Sequence, residues 1–359
     1  MVEGSAPLTL VHGRPRVDLD AGGRTVAALV DTAGAALLLS QEIADELDLT
    51  VVETIEERGE VFTVLEPPSL SVGGYQLDTD GLPTYGFEDT RAMGLAAHGL
   101  DLVLPATLLQ RHAVVLDLAG GSATFGDAGT LDGSGLRMPA RMLTDGGLTV
   151  LSVEVMGAPM SVLLDTGVSC SLAADRLVRA WQAADPGLPS SAAAVGPGNM
   201  AGLPVEARTP MVRVPLVSWG DFSVPGVAFA WRGDGDVAPY DGSLGANVLR
   251  SFRIGLDHRR GELWVEQGAA VQVGVDTDQV GVTLVLTDDF EWLVGAVVLG
   301  LTEVQVGDRL LAIDGEPVAG LTLGDVLAAL GGDVGATHHL TVRRDDVVVD
   351  ADAPVVRLL

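Results

Sequence analysis

The chain has 359 residues, enough for two or three domains, and a formal net charge of −28 in which every basic residue is Arg and none is Lys. So acidic a surface repels phosphates and excludes a nucleic-acid partner; because the acids are spread along the chain, they read as a solubility or salt adaptation rather than an acidic tail. With 47% hydrophobic but only 4% aromatic residues, the core must be built mainly from Val, Leu and Ala.

No uninterrupted apolar run approaches the roughly 20 residues needed to cross a bilayer. Residues 292–301, "WLVGAVVLGL", are too short, so no membrane span is expected. The first residues carry no basic-then-apolar signal pattern. A complete chain is then expected in the cytoplasm, and one whose signal was removed in the periplasm or outside the cell. A single cysteine, Cys170, excludes an intrachain disulfide and a thiolate-rich metal site, and it reads as a small buried residue rather than a nucleophile.

In chain order, residues 8–31 read as strand, turn "DLDAGGR" and strand "TVAALVD", a hairpin that delivers Asp31 at its end. A helix is predicted over Ser40–Leu49, capped by Ser40 with Ile43, Ala44 and Leu47 at helical spacing. Strand pairs follow around Gly59 and around "SVGGYQL", where Gly73 and Gly74 suit a tight turn. Further on, "LTVLSVEVMG" and "SVLLD" form a second hairpin ending at Asp165, with a helix predicted over Ala173–Asp185. The Pro-, Gly- and Ser-rich segment from Pro186 to Pro204 reads as a loop or hairpin. Its Gly196, Gly198 and Gly202 lack the preceding strand and following helix that would let backbone amides hold a pyrophosphate. Near Gly268 a third unit begins, with strands flanking "VGDRLLAIDGEPV" and a helix in "TLGDVLAALGG" capped by Thr322.

One Asp-Thr-Gly is only a turn, but here two segments recur in the same order. Asp31 in "ALVDTAGAALLLS" matches Asp165 in "VLLDTGVSCSLAAD", and "DLVLPATLLQRHAVVLD" (Asp101–Asp117) aligns without a gap on "DGSLGANVLRSFRIGLD" (Asp241–Asp257). The pairs Leu104/Leu244, Ala106/Ala246 and Leu109/Leu249 coincide. The chain is internally duplicated.

These residues resemble the pepsin and retropepsin class of aspartic peptidases, specifically the bacterial retropepsin-like kind with both lobes in one chain, and the tail resembles a PDZ domain. The resemblance implies a mainly β fold: a duplicated two-lobed acid-protease β-barrel architecture with lobes over residues 1–130 and 131–267, then a small α+β PDZ-like domain over 275–359. It implies an endopeptidase acting on a polypeptide substrate without cofactor or metal. Asp31 and Asp165 would share one proton and activate a water. Thr32 and Thr166 would clamp the two turns together, with Ala33, Gly34, Gly167 and Ser169 supporting the carboxylates. A flap would have its tip at Glu57, Arg58 and Gly59. In the PDZ-like tail, Val280, Gly281 and Val282 would capture a C-terminal peptide ligand by strand addition.

Lobe one departs from the family pattern. Ala33 stands where Gly is usual; it retains the N–H but not easy access to positive φ, so the turn is either tolerated as it stands or strained. Ala35 replaces the Ser kept as Ser169 in lobe two, so one carboxylate loses a hydroxyl partner. Pro105 replaces the Gly kept as Gly245 and has no N–H, which predicts a shifted strand behind Asp31. Tyr85 reads as a strand position with a packed ring rather than a flap tyrosine. The PDZ-like unit lacks the usual Ser-Pro-Ala-like turn before Gly307-Asp308. Asp257-His258 and His338-His339 lack acidic neighbours at metal-ligand spacing and read as solvated loop positions. Ser243 is not in a GxSxG elbow. An alternative to catalysis follows from the degenerate lobe-one turn: a pseudoprotease kept as a peptide-binding platform. A third reading has the PDZ unit packed against the cleft, holding it inactive until a ligand binds.

Overall fold

A computed structural model describes residues 3–57, 60–87, 95, 98–131, 133–194, 209–233, 239–269, 278–287, 289–297, 303–357 and 359. The protein is mainly β, with two lobes of repeated topology followed by a smaller C-terminal β unit that carries one helix. In lobe one, the strands Arg14–Ala21 and Arg24–Asp31 pair antiparallel from Ala21↔Arg24 to Arg16↔Leu29. The connecting Gly22 and Gly23 both have positive φ, 63° and 94°, the pair of left-handed conformations a tight hairpin of this hand requires.

The chain then returns to insert Leu102–Pro105 between Arg24–Asp31, to which it runs parallel, and Leu37–Ser40, to which it runs antiparallel. Lobe two repeats the device: Gly242–Leu244 lies between Ala158–Leu164 and Ser171–Ala174 with the same parallel and antiparallel senses. The duplicated blocks also meet each other. Ala113–Asp117 pairs antiparallel with Phe252–Asp257, centred on Val115↔Gly255, so one sheet passes between the halves. The interior of the two lobes is filled chiefly by Val, Leu and Ala, as the composition requires, with Trp219, Phe125, Phe229 and Phe252 as the largest fully buried rings among the described residues.

The helix after Asp31 is Gln41–Glu46, shorter than predicted. Ser40 caps it as expected, its Oγ accepting from the Ile43 N–H at 3.1 Å, and the chain leaves the helix where Asp48 takes a φ of 52°. In lobe two the helix starts at Asp175, because Ser171–Ala174 is a strand paired in parallel with Phe222–Arg232. Leu and Ala favour helix locally, and sheet pairing overrides that preference. Within the supposed loop, Ser190–Ala194 pairs with Thr209–Trp219; Gly196, Gly198 and Gly202 lie outside the described residues. Gly73 and Gly74 form the turn expected between Leu70–Val72 and Tyr75–Gln76. Tyr85 occupies the strand Thr84–Phe87, as predicted, opposite Val64 and beside Leu38.

The C-terminal unit has its own core, including Val280, Trp292, Ile313, Val326, Leu330 and Leu340. Thr322 and Asp325 form a reciprocal capping box at its helix Leu323–Leu330. Asp308 of the Gly-Asp pair is gripped by Arg344 through two 2.8 Å bonds. The Asp257-His258 and His338-His339 pairs match the expected solvated loops only in part: His258 lies half-buried in a turn and His339 is exposed, but His338 and His339 are on a strand and Asp257 is buried. Asp257 is 1% exposed at a strand end and accepts from the Gly129 N–H, while His258 Nε2 meets Thr149 Oγ1. His338 and His339 lie in the strand Thr337–Arg344 beside Asp314 and Asp352. Acids distant in sequence supply the neighbours that local spacing lacked, and no group of side chains suited to a metal ion occurs among the described residues. No helix among them is long and apolar enough to cross a membrane.

Candidate functional site

Each aspartate sits where a hairpin strand ends in a turn: Asp31 closes Arg24–Asp31, and Asp165 follows Ala158–Leu164. The adjoining inserted strand holds each position from the side, through the register Pro105↔Asp31 in lobe one and the bond from the Asp165 N–H to the Leu244 carbonyl in lobe two.

The two turns are locked to each other through Thr32 and Thr166. Thr32 Oγ1 donates to the Leu164 carbonyl at 2.7 Å, and Thr166 Oγ1 donates to the Val30 carbonyl at 2.6 Å. Each hydroxyl accepts the other threonine's backbone N–H, at 3.0 and 3.1 Å. These four hydrogen bonds cross between the turns in pairs related by the duplication, and the two hydroxyl oxygens themselves lie 3.3 Å apart. Both side chains are buried, so each bond satisfies a group that water cannot reach.

The clamp brings the carboxyl groups together. A Cβ built on Gly167 would lie 2.5 Å from Asp31 Cγ, so the lobe-one carboxyl rests on the backbone of the lobe-two turn. Burial raises the Asp165 pKa well above the ordinary carboxylate range, and the charge of Asp31 raises it further. Opposing this are the Gly167 N–H, donating to Asp165 Oδ1 at 3.1 Å, the Ser243 hydroxyl and the Val168 N–H. Ser243 is buried and its Oγ makes no bond of full hydrogen-bond geometry, so it acts on Asp165 more weakly than the Gly167 amide does. Burial also raises the Asp31 pKa, against the N–H groups of Ala33 and Gly34 and the charge of Arg14.

Two anticipated defects of lobe one are absent. Ala33 has no positive φ, and its N–H donates to Asp31 Oδ1 at 2.9 Å, the same bond that Gly167 makes to Asp165. The turn needs the amide, which Ala supplies. Pro105 terminates its strand in register, and the next amide, Ala106, donates to the Gly34 carbonyl at 2.9 Å, just as Ala246 donates to Val168 in lobe two. The strand keeps its register: in lobe two the corresponding N–H, of Gly245, donates to Ser171 Oγ at 3.1 Å, and lobe one has Leu37 in place of that serine, so the N–H that Pro lacks has no hydroxyl waiting for it. Gly34 itself packs against Asp31, a Cβ there falling 3.0 Å from Oδ2. Ser169 is buried, and the hydroxyl that acts on Asp165 is that of Ser243 instead.

The strands Val51–Glu57 and Glu60–Leu65 form the hairpin expected of a flap. Glu57 ends the first strand, whereas Arg58 and Gly59 lie outside the described residues. Val280, Gly281 and Val282 are buried where Asp278–Val280 passes into Val282–Leu286. Cys170 is buried as expected, its Sγ facing the Ala228 carbonyl.

Sequence reasoning missed two residues, Ser243 and Arg14. Arg14 is fully buried on the strand neighbouring Asp31, and its guanidinium is the cation whose field acts on that carboxyl.

Gly167→Ala is expected to lower stability by about 1–3 kcal/mol, since a methyl group cannot occupy the space of the Asp31 carboxyl without displacing it. Chemical denaturation reads this directly, and a loss below about 0.5 kcal/mol would mean the carboxyl is free to move aside.

A family model described as PDZ domain matches residues 302–344. No curated protein sequence matches the chain. Among solved structures, the chain is similar to an aspartic proteinase from Irpex lacteus at 14% identity and a TM-score of 0.46, over 74% of this chain and 97% of that one.

Proposed function

We propose that the protein is an aspartic-type endopeptidase whose lobes, residues 1–130 and 131–267, hold an extended polypeptide between them, with the PDZ-like unit over 275–359 recruiting or regulating substrates. The observation that carries this reading is the reciprocal clamp of Thr32 and Thr166, which presents two carboxyl groups, Asp165 buried and Asp31 half-buried, to one another from matching turns.

Two such carboxyls do not both ionise cheaply, so the pair holds one proton over a wide pH range. The ionised member takes a proton from water as the water oxygen bonds to the scissile carbonyl carbon, and the protonated member gives its proton to the carbonyl oxygen. As the tetrahedral intermediate collapses, the C–N bond breaks, the leaving nitrogen takes the proton removed from water, and the other carboxyl recovers its own. Intact lobe-one backbone bonds from Ala33 and Ala106 favour this reading over the binding platform. The test is digestion of an unfolded protein at acidic and neutral pH by the wild type and by Asp165→Asn. Cleavage unaffected by the substitution removes this site from the chemistry, and no cleavage by the wild type at any pH leaves the binding platform.

A regulatory role for the PDZ-like unit has its own support, because this unit touches both lobes. A Cβ on Gly324 would lie 3.2 Å from the His12 backbone nitrogen of lobe one. In lobe two, Leu359 is buried with Cys170, Met211, Ala228 and Ala230, and Arg213 donates to its carbonyl oxygen at 3.4 Å. Cys170 is five residues beyond Asp165, so this seat adjoins the candidate site along the chain. Burying a leucine stabilises such a contact by about 1.5–3 kcal/mol. Leu359→Asp should therefore raise the reactivity of the Cys170 thiol toward a soluble disulfide reagent by about tenfold or more. An unchanged rate would show that the seat does not guard this surface.

A further inference from the structure

Among the described residues Arg14 is the only fully buried arginine, and its position follows from the hairpin that delivers Asp31. The antiparallel register pairs Ala21 with Arg24 and Arg16 with Leu29, and two residues further along the same register Arg14 faces Asp31. Its Nη2 donates to Nε2 of the buried His98, which stacks on His12 with ring centroids 6.0 Å apart. Arginine can only donate, so this Nε2 accepts and a neutral His98 carries its proton on Nδ1.

The groups facing the guanidinium form a set whose charges can be counted. Burial, followed by Arg14, keeps both His98 and His12 neutral at ordinary pH, with Arg250 adding to the effect on His12. The carboxylates whose fields act on Arg14 are Asp31 and, after it, Asp165. A pair holding one proton has charge −1, and with Arg14 the buried cluster is neutral. A doubly ionised pair would leave it at −1 and a doubly protonated pair at +1. Either imbalance is costly where water is excluded.

We propose that Arg14 is a positioning residue of the dyad: its guanidinium balances a pair that holds one proton and biases that proton onto Asp165, so that Asp31 is the carboxylate that accepts a proton from water. The bias follows from location, since Arg14 faces Asp31 across one pair of strands. It also accounts for Val103, which stands in lobe one where lobe two has Ser243: with no hydroxyl there, Arg14 supplies to Asp31 the stabilisation of the ionised form that the Ser243 hydroxyl supplies to Asp165. The proposal rests on the shared-proton reading above, but its central claim concerns ionisation and is measured without substrate.

The measurement is carbon-13 NMR of aspartate carboxyls in the full chain as a function of pH, with the two signals identified through Asp31→Asn and Asp165→Asn. In the wild type, one ionised and one protonated carboxyl are expected at neutral pH, the proton residing on Asp165. In Arg14→Met the first ionisation should move upward by about one to three pH units, the effect of losing an opposite charge at close range, and Arg14→Lys should restore most of it. The acid limb of any cleavage profile moves in the same direction. Two ionised carboxyls in the wild type at neutral pH overturn the proposal, whether or not Arg14→Met folds. So does a folded Arg14→Met with an unmoved first ionisation. If the ionisations follow the proposal while no polypeptide is cleaved, the charge balance stands and the peptidase reading fails.

Discussion

Asp165→Asn should abolish cleavage, by about 10²–10⁴-fold or more, while leaving a folded protein that is more stable than the wild type at neutral and alkaline pH. The two effects have one cause. Burial and the neighbouring Asp31 hold the Asp165 pKa far above its value in an unfolded chain. A raised folded-state pKa contributes stability that is fully present below the unfolded pKa and is lost as pH rises toward and through the folded one. The wild type therefore loses stability progressively above about pH 4 through this group, at up to about 1.4 kcal/mol per pH unit. Asparagine has no such dependence. Its stability should exceed the wild type's by on the order of 1–3 kcal/mol near pH 8, the gap closing toward pH 4. Denaturant midpoints across that range, set beside cleavage rates, test both halves. A variant that is inactive but less stable at every pH would indicate a structural carboxyl satisfied by its surroundings.

Thr166→Val should be the most damaging small change in the molecule. Valine keeps the shape and removes the hydroxyl, leaving the Val30 carbonyl and the Thr32 N–H without the partners they have at 2.6 and 3.1 Å. Each unsatisfied buried group costs about 1–3 kcal/mol, so a loss of roughly 3 kcal/mol or more is expected. Thr166→Ser keeps the hydroxyl and should lose far less, about 1 kcal/mol, which separates the hydrogen bonds from packing of the methyl group. Activity should fall further than stability alone explains, because the clamp sets the distance between the carboxyls, and displacement by about 1 Å is worth on the order of 100-fold. Equal stabilities for the valine and serine variants would mean that the lobes are held by the sheet between them and not by the threonines.

Much of this architecture was legible in the residues. Gly22-Gly23 and Gly73-Gly74 mark their hairpins because only a pair of left-handed residues fits such turns. Ser40 and Thr322 mark helix starts because their hydroxyls satisfy amides that a helix leaves bare. Even Arg14 was accessible in principle: a two-residue turn at Gly22-Gly23 fixes the hairpin register, and that register carries Arg14 to Asp31. What hid it is that a lone arginine in a strand looks like any exposed charge until its burial is known. The start of the lobe-two helix was not legible, since Ser171–Ala174 is a strand only because Phe222–Arg232 lies beside it. The supposed weakness of Pro105 was misjudged for a similar reason: whether a missing N–H matters depends on whether a partner waits for it.

By itself the sequence determined the duplication, the two Asp-Thr turns, the mainly β character and the separate C-terminal unit, all of which are written in short-range pattern and repetition. Only the tertiary structure decided that the lobe-one turn keeps its amide bonds, that Ser243 stands beside Asp165, and that the arginine across the hairpin from Asp31 is fully buried. Those are facts about which polar groups are removed from water together, and the energy of a buried charge is set by neighbours that lie far away along the chain.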